Sequence, residues 1–165
     1  MKKSLWVVGL LSVVAISCSE PSKEQVEPTP ETSAVESSLP KEEVALTLKA
    51  NDQMKFDLSE LKVPSNSRVT LTLVNEGVLP KEAMGHNFVL LSQGTDVADY
   101  ALRAIQAGAA ANHIPAGSET LAHTKLLGGG ESVTITFDAP ANGSYDFICS
   151  FPGHYGMMKG KFIVG

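Results

Sequence analysis

The chain has 165 residues, 43% of them hydrophobic and 19% charged, and a formal net charge of -5. That is room for one domain with a packed core and too little for a two-domain or multi-site enzyme. No basic run or patch is present, which argues against nucleic acid as a partner.

Met1, Lys2 and Lys3 precede an apolar run from Leu5 to Ile16, and Ser17 and Cys18 follow it. A positive start, a short apolar stretch and a small residue before a cleavage point read as an export signal over 1–17. The run falls short of the about 20 residues that a bilayer-spanning helix needs. AISC (Ala15 to Cys18) resembles the lipobox of bacterial lipoproteins, with Ala15 in the place usually held by leucine. The resemblance implies a lipidated Cys18 and a membrane-anchored lipoprotein in the periplasm or at the cell surface. Cleavage nearby without lipid, or no processing, are the alternatives.

From Ser19 to Glu43 the chain is rich in Ser, Glu, Pro and Thr, has no periodicity and offers little apolar surface to offset its ordering entropy. With Cys18 it reads as a disordered tether over 18–43. The folded domain is then 44–165. If Cys18 carries lipid, Cys149 is the one thiol of that domain, and without a disulfide partner it is expected to serve as a metal ligand.

After the tether the apolar period becomes two. Val44, Leu46 and Leu48 alternate with polar or small residues, as do Met54, Phe56 and Leu58, Val69, Leu71 and Leu73, and Val133, Ile135 and Phe137. Asn87 to Leu91 is a short buried run, Tyr145, Phe147 and Cys149 share a strand face, and KFIVG closes the chain. Seven or eight short strands with turns between them predict an antiparallel β-sandwich. One helix interrupts it: Thr95 to Gly108 places Val97, Ala101, Ala104 and Ile105 at helical spacing, with Thr95 or Asp96 as cap. The small and polar residues from there to His123 predict a loop, with His113 and His123 solvated.

The chemistry concentrates in CSFPGHYGMMKGK, Cys149 to Lys161. Taken singly, Cys at a strand end reads as a small buried apolar residue, His in a loop as solvated, and Met after a turn as core. Together, the turn at Phe151-Pro152-Gly153 brings a thiolate, an imidazole (His154) and a thioether (Met158) to one point. A second imidazole comes from His86, between Gly85 and a buried strand. Two His, one Cys and a weak Met form the ligand set of a blue-copper electron-transfer site.

MGHNFVLL, LAHTKLLGGGESVTITFD, CSFPGHYGMMKGKFIV and NDQMKFD are similar to the corresponding stretches of the azurins. The resemblance covers most of 44–165 and implies a cupredoxin-like Greek-key β-sandwich with one inserted helix. It implies one copper ion, cycling between Cu(I) and Cu(II), with His86, Cys149 and His154 as equatorial ligands. Met158 would be the distant axial ligand and the Gly85 carbonyl would approach from the opposite side. Asn87 and Ser150 would pin the two ligand loops together and donate hydrogen bonds toward the sulfur. Leu79, Met84, Phe151, Pro152, Gly153, Gly156 and Met157 would ring the His154 edge as a docking patch for redox partners. The chain departs from azurins in lacking the disulfide near the domain's start, in Phe88 for a buried tryptophan, and in Asn75 for a buried histidine.

The resulting expectation is a monomeric, membrane-tethered type 1 copper protein that passes single electrons between redox proteins outside the cytoplasm. A copper nitrite reductase or oxidase would need a second domain and more histidines than the four present. Copper storage or delivery is the alternative, and it would favour several exposed Met or His ligands.

Overall fold

The computed structural model describes residues 40–165; the export signal, Cys18 and most of the tether lie outside them. Among the described residues there are nine strands: β1 (Glu42–Asn51), β2 (Lys55–Phe56), β3 (Glu60–Val63), β4 (Ser67–Asn75), β5 (Val89–Leu91), β6 (Thr120–His123), β7 (Ser132–Asp138), β8 (Gly143–Ile148) and β9 (Lys159–Val164). They form a sheet ordered β2-β1-β4-β7 and another ordered β3-β9-β8-β5-β6. Between the sheets lies a core that includes Leu48, Val69, Leu71, Leu73, Phe88, Phe147 and Phe162. Alternation sends one face of β4 inward and leaves Arg68 exposed, as a sandwich requires.

The sandwich is mixed rather than antiparallel. β1 runs parallel to β4 over nine register positions, from Glu42↔Ser67 to Ala50↔Asn75, and β3 runs parallel to β9. Alternation assigns faces, not partner directions. Between β1 and β4 the chain crosses to the other sheet to form β3, which is what lets β4 return alongside β1 in the same sense. β1 also begins at Glu42: its backbone pairs with β4, and Lys41 bonds Asp138 at 2.7 Å, so the polar side chains at 42–43 do not prevent a strand. Met54, Phe56 and Leu58 do not form one strand. Met54 takes φ 54 in a turn, β2 is two residues long, and Leu58 is exposed.

Two helices are present among the described residues, a single turn α1 (Lys81–Met84) and the inserted α2 (Val97–Ala107). Asp96, not Thr95, caps α2: its carboxylate accepts from the Ala98 and Asp99 amides at 2.9 and 3.1 Å. Tyr100, Ala101 and Ala104 are its buried face, whereas Ile105 is exposed, because Tyr100 reaches inward to bond Thr120 Oγ1 at 2.6 Å. α2 covers the outer face of the second sheet over Val89, Leu91 and Ile148, so β5 is buried on both sides. That is why its sequence is an unbroken apolar run. A 3-10 turn at Ala109–Ala111 follows α2, and no helix among the described residues is long and apolar enough to cross a membrane.

Candidate metal centre

Cys149 leaves β8 with its amide bonded to the Met158 carbonyl at 2.9 Å, which closes the neck of the loop that joins β8 to β9. Inside the neck two tight turns follow each other: the His154 amide donates to Phe151 O at 3.0 Å, and the amides of Met157 and Met158 donate back to His154 O at 3.0 and 2.8 Å. Gly153 supplies the φ of 83 that the first turn needs. The loop thereby folds back on Cys149, and His154 Nδ1 comes to 3.6 Å from its sulfur.

His86 arrives from the other side. It exchanges two backbone hydrogen bonds with Leu127, at 3.0 and 2.8 Å, and its Nδ1 stands 3.9 Å from the Cys149 sulfur. The Gly85 carbonyl also lies 3.9 Å from that sulfur. Glycine is required at 85 because a Cβ there would sit 2.6 Å from the Lys81 carbonyl and 2.8 Å from Leu126. The donor atoms of His86, Cys149 and His154 all lie within 4.8 Å of one another, and all three residues are buried. Met158 is fully buried with its backbone tied to both Cys149 and His154.

Asn87 locks the two ligand segments. Its Oδ1 accepts from the Ser150 amide and its Nδ2 donates to Ser150 Oγ, both at 2.8 Å. The backbone amides of Asn87 and Phe151 are the ones that favour a thiolate on Cys149; the Ser150 hydroxyl is turned to Asn87 instead. Burial outweighs them and pushes the thiol up to about 11. Burial, and then the neighbouring His86, hold His154 down to about 4, and burial lowers His86 against the opposing Asn51 carbonyl and Asp52 carboxylate. His86 Nε2 is buried with no partner at hydrogen-bond distance, so the Asn51 carbonyl acts on the ring only from beyond that range. Burial thus favours unprotonated imidazoles and a protonated thiol in the metal-free site. Two imidazoles and one convertible thiolate, aimed at a common point with a thioether residue beside them, suit a soft transition metal.

Residues 42–165 match the family of copper binding proteins described as plastocyanin/azurin. The chain belongs to that family. It is 39% identical over 127 residues to azurin of Pseudomonas chlororaphis, covering 74% of this chain and 98% of that one. It is 41% identical over 123 residues to azurin of Pseudomonas fluorescens biotype C, covering 72% and 95%. Among solved structures it resembles auracyanin A, a blue copper protein of Chloroflexus aurantiacus, with a TM-score of 0.69, 36% identity, and 74% and 99% coverage. Auracyanin of Roseiflexus castenholzii gives a TM-score of 0.66 at 36% identity, with 73% and 96% coverage.

Each departure from the azurin pattern has a structural counterpart. Phe88 is fully buried between Phe137 and Phe147, with ring centroids at 6.5 and 5.6 Å. Asn75 is buried, accepts from the Gly77 amide at 2.9 Å and donates to the Leu127 carbonyl at 3.4 Å, so it braces the segment that holds His86 and carries no titrating proton. Cys149 is a free cysteine.

Of the residues expected to ring the His154 edge, Met157 is 60% and Leu79 40% exposed, Gly153 and Gly156 are exposed, and Met84, Phe151 and Pro152 are half-buried. Val78, beside Leu79, is 87% exposed and was not anticipated; two adjacent apolar residues in a polar turn were the available signal. His154 itself is only 3% exposed and stacks on Phe151 at 4.6 Å. His123 is exposed as expected, but His113 is buried: its Nδ1 meets the Ala104 carbonyl at the end of α2 at 3.2 Å, and its ring lies edge-on to Phe151 at 5.4 Å.

Proposed function

We propose that this protein is a type 1 copper protein that carries single electrons between redox partners, and that His86 Nδ1, Cys149 Sγ and His154 Nδ1 would hold the metal. The observation that carries the reading is the convergence of those three donor atoms within 4.8 Å in a buried site. Met158, fully buried and tied by its backbone to Cys149 and His154, would add a thioether donor, and the Gly85 carbonyl lies 3.9 Å from the Cys149 sulfur. Bound copper supplies one-electron chemistry, with soft sulfur donors suiting Cu(I) and imidazole suiting both states. The chain's part is to exclude water, keep both imidazoles unprotonated, release the thiol proton when metal binds, and hold the donors still through Asn87 and the neck of the loop. A closed and braced site favours a carrier over a storage or delivery protein, and nothing in this reading calls for a substrate site.

The partners are redox proteins that dock on the apolar ring of Leu79, Met84, Phe151, Pro152, Gly153, Gly156 and Met157, extended by Val78. We assign the protein to the outside of the cytoplasmic membrane as a monomer, exported by residues 1–17 and anchored through lipid on Cys18. Copper(II) added to the metal-free protein should produce an intense visible thiolate-to-copper band, and Cys149→Ser should abolish it. A band that survives in the variant would show that another residue supplies the donor.

A further inference from the structure

We infer that Asn112, at the end of the α2 insertion, is a positioning residue for the metal centre. The inference rests on the copper reading above. Asn87 has two amide hydrogens; one goes to Ser150 Oγ, and the other goes to the Asn112 carbonyl, at 2.8 Å. Asn112 therefore completes the residue that joins the two ligand segments. Its own side chain reaches the opposite way, and Oδ1 accepts from the Leu126 amide at 2.9 Å. Leu126 adjoins Leu127, which holds the His86 backbone by two hydrogen bonds, and the Leu126 side chain fills the space that a Cβ on Gly85 would need. One residue thus grips the Gly85–Asn87 segment from both flanks, through Asn87 and through the Leu126–Leu127 segment.

The local conformation is built to present those two groups. Asn112 has φ 53 and ψ 27, and His113 follows with φ 56. Successive left-handed residues other than glycine are disfavoured, asparagine least so, and persist where surrounding contacts over-determine them. Here the contacts are the Asn112 amide to Ala109 O and the His113 amide to Gly108 O, both at 2.9 Å, with the His113 ring on Ala104 O. The reversal turns the Asn112 carbonyl toward Asn87 instead of along the 3-10 turn. A competing view is that Asn112 only ends that turn, as asparagine often does. That view predicts a loss of stability and nothing at the metal. The positioning role predicts that loosening Asn112 lets the ligands shift when the electron arrives or leaves.

The test uses the full copper-loaded protein and three variants. Asn112→Gly keeps the left-handed backbone and the carbonyl but loses the bond to Leu126. Asn112→Asp keeps an acceptor oxygen in its place. Asp96→Ala loosens the same insertion at its other end without touching Asn87 or Leu126. We expect Asn112→Gly to broaden the copper hyperfine lines and to slow electron self-exchange by about 3- to 10-fold, less than the roughly 10- to 100-fold of groups bonded to the ligands themselves. Asn112→Asp should restore the rate, and Asp96→Ala should lower the thermal midpoint while leaving hyperfine lines and rate unchanged. If Asn112→Gly behaves like Asp96→Ala, the residue is only structural and the inference is overturned. Should Asn112→Gly fail to fold, hydrogen exchange on the wild type decides. Leu126 and Ser150 amides as slow as that of Cys149 support the brace, and a fast Leu126 amide removes it. A wild type without the visible band defeats the copper reading itself, a different failure from a band that Asn112→Gly leaves untouched.

Discussion

Cys149 and His154 are held in their uncharged forms by the same burial, and this makes the metal-free protein sensitive to pH at both ends. For His154 the folded value, about 4, lies below the ordinary 6.5, so below 6.5 the unfolded chain binds more protons. Stability is therefore lost as pH falls from about 6.5 toward 4. For Cys149 the folded value, about 11, lies above the ordinary 9.0, so between these the folded chain binds more protons. Stability is then lost as pH rises from about 9 toward 11. Denaturant unfolding of the metal-free protein should show a plateau from about pH 6.5 to 9 with a fall on each side. Tyr100, also raised by burial, adds to the alkaline fall, so the diagnostic part is what Cys149→Ser removes. An alkaline limb identical in that variant would show that the thiol is not held protonated.

At the scale of elements, close approach between β9 and its neighbours fixes one glycine. A Cβ on Gly160 would overlap the Phe147 ring and stand 2.5 Å from the Ser59 carbonyl, so a side chain has to push either a core aromatic or β3 aside. Gly160→Ala should cost about 1–3 kcal/mol of stability in urea unfolding; an unchanged midpoint would mean that the strands separate freely there. Elements were legible in the sequence as far as periodicity reaches. Val69, Leu71 and Leu73 showed a face, but not that β4 has a parallel neighbour in β1. Helical spacing found α2 yet chose Ile105 over Tyr100, because a tyrosine's burial depends on a partner such as Thr120, which spacing does not contain. The convergence of Cys149, His154 and Met158 was legible because one short loop carries all three. His113 and Asn112 were not, because their roles come from left-handed backbone that meets other segments, Asn87 lying 25 residues away in sequence.

For the whole molecule, charge contributes little to finding a partner. Residues 44–165 carry eleven acidic and nine basic side chains, net -2, and several of them are joined across the surface, as in Lys49–Glu76, Lys161–Asp146 and Arg103–Glu119. Docking should then depend on the apolar ring, where a transient redox encounter needs only a small interface. Met157→Glu should slow transfer to and from the partner in stopped-flow measurements while leaving the visible band in place, and the wild-type rate should vary weakly with ionic strength. A steep fall with added salt would put the docking surface elsewhere. The preceding segment of about 25 residues would have a reach of roughly 25–30 Å if flexible, and Cys18→Ala should release the protein from the membrane fraction with its copper intact; unchanged fractionation would remove the lipid anchor from the proposal. The chain enters the domain at Glu42, and β1 carries it about 30 Å along the sandwich to Asn51, whose carbonyl acts on His86. The start of β1 and the metal centre are thus at opposite ends of one strand. Were a partner to hold the proposed ring while the chain is pulled from its N-terminal side, the load would enter the domain through β1. Because β1 lies parallel to β4 over nine register positions, that pull loads their hydrogen bonds in shear, all at once, rather than peeling them apart in turn. In the anchored form proposed above, a tug between anchor and partner would then leave the strand beneath the metal centre in place.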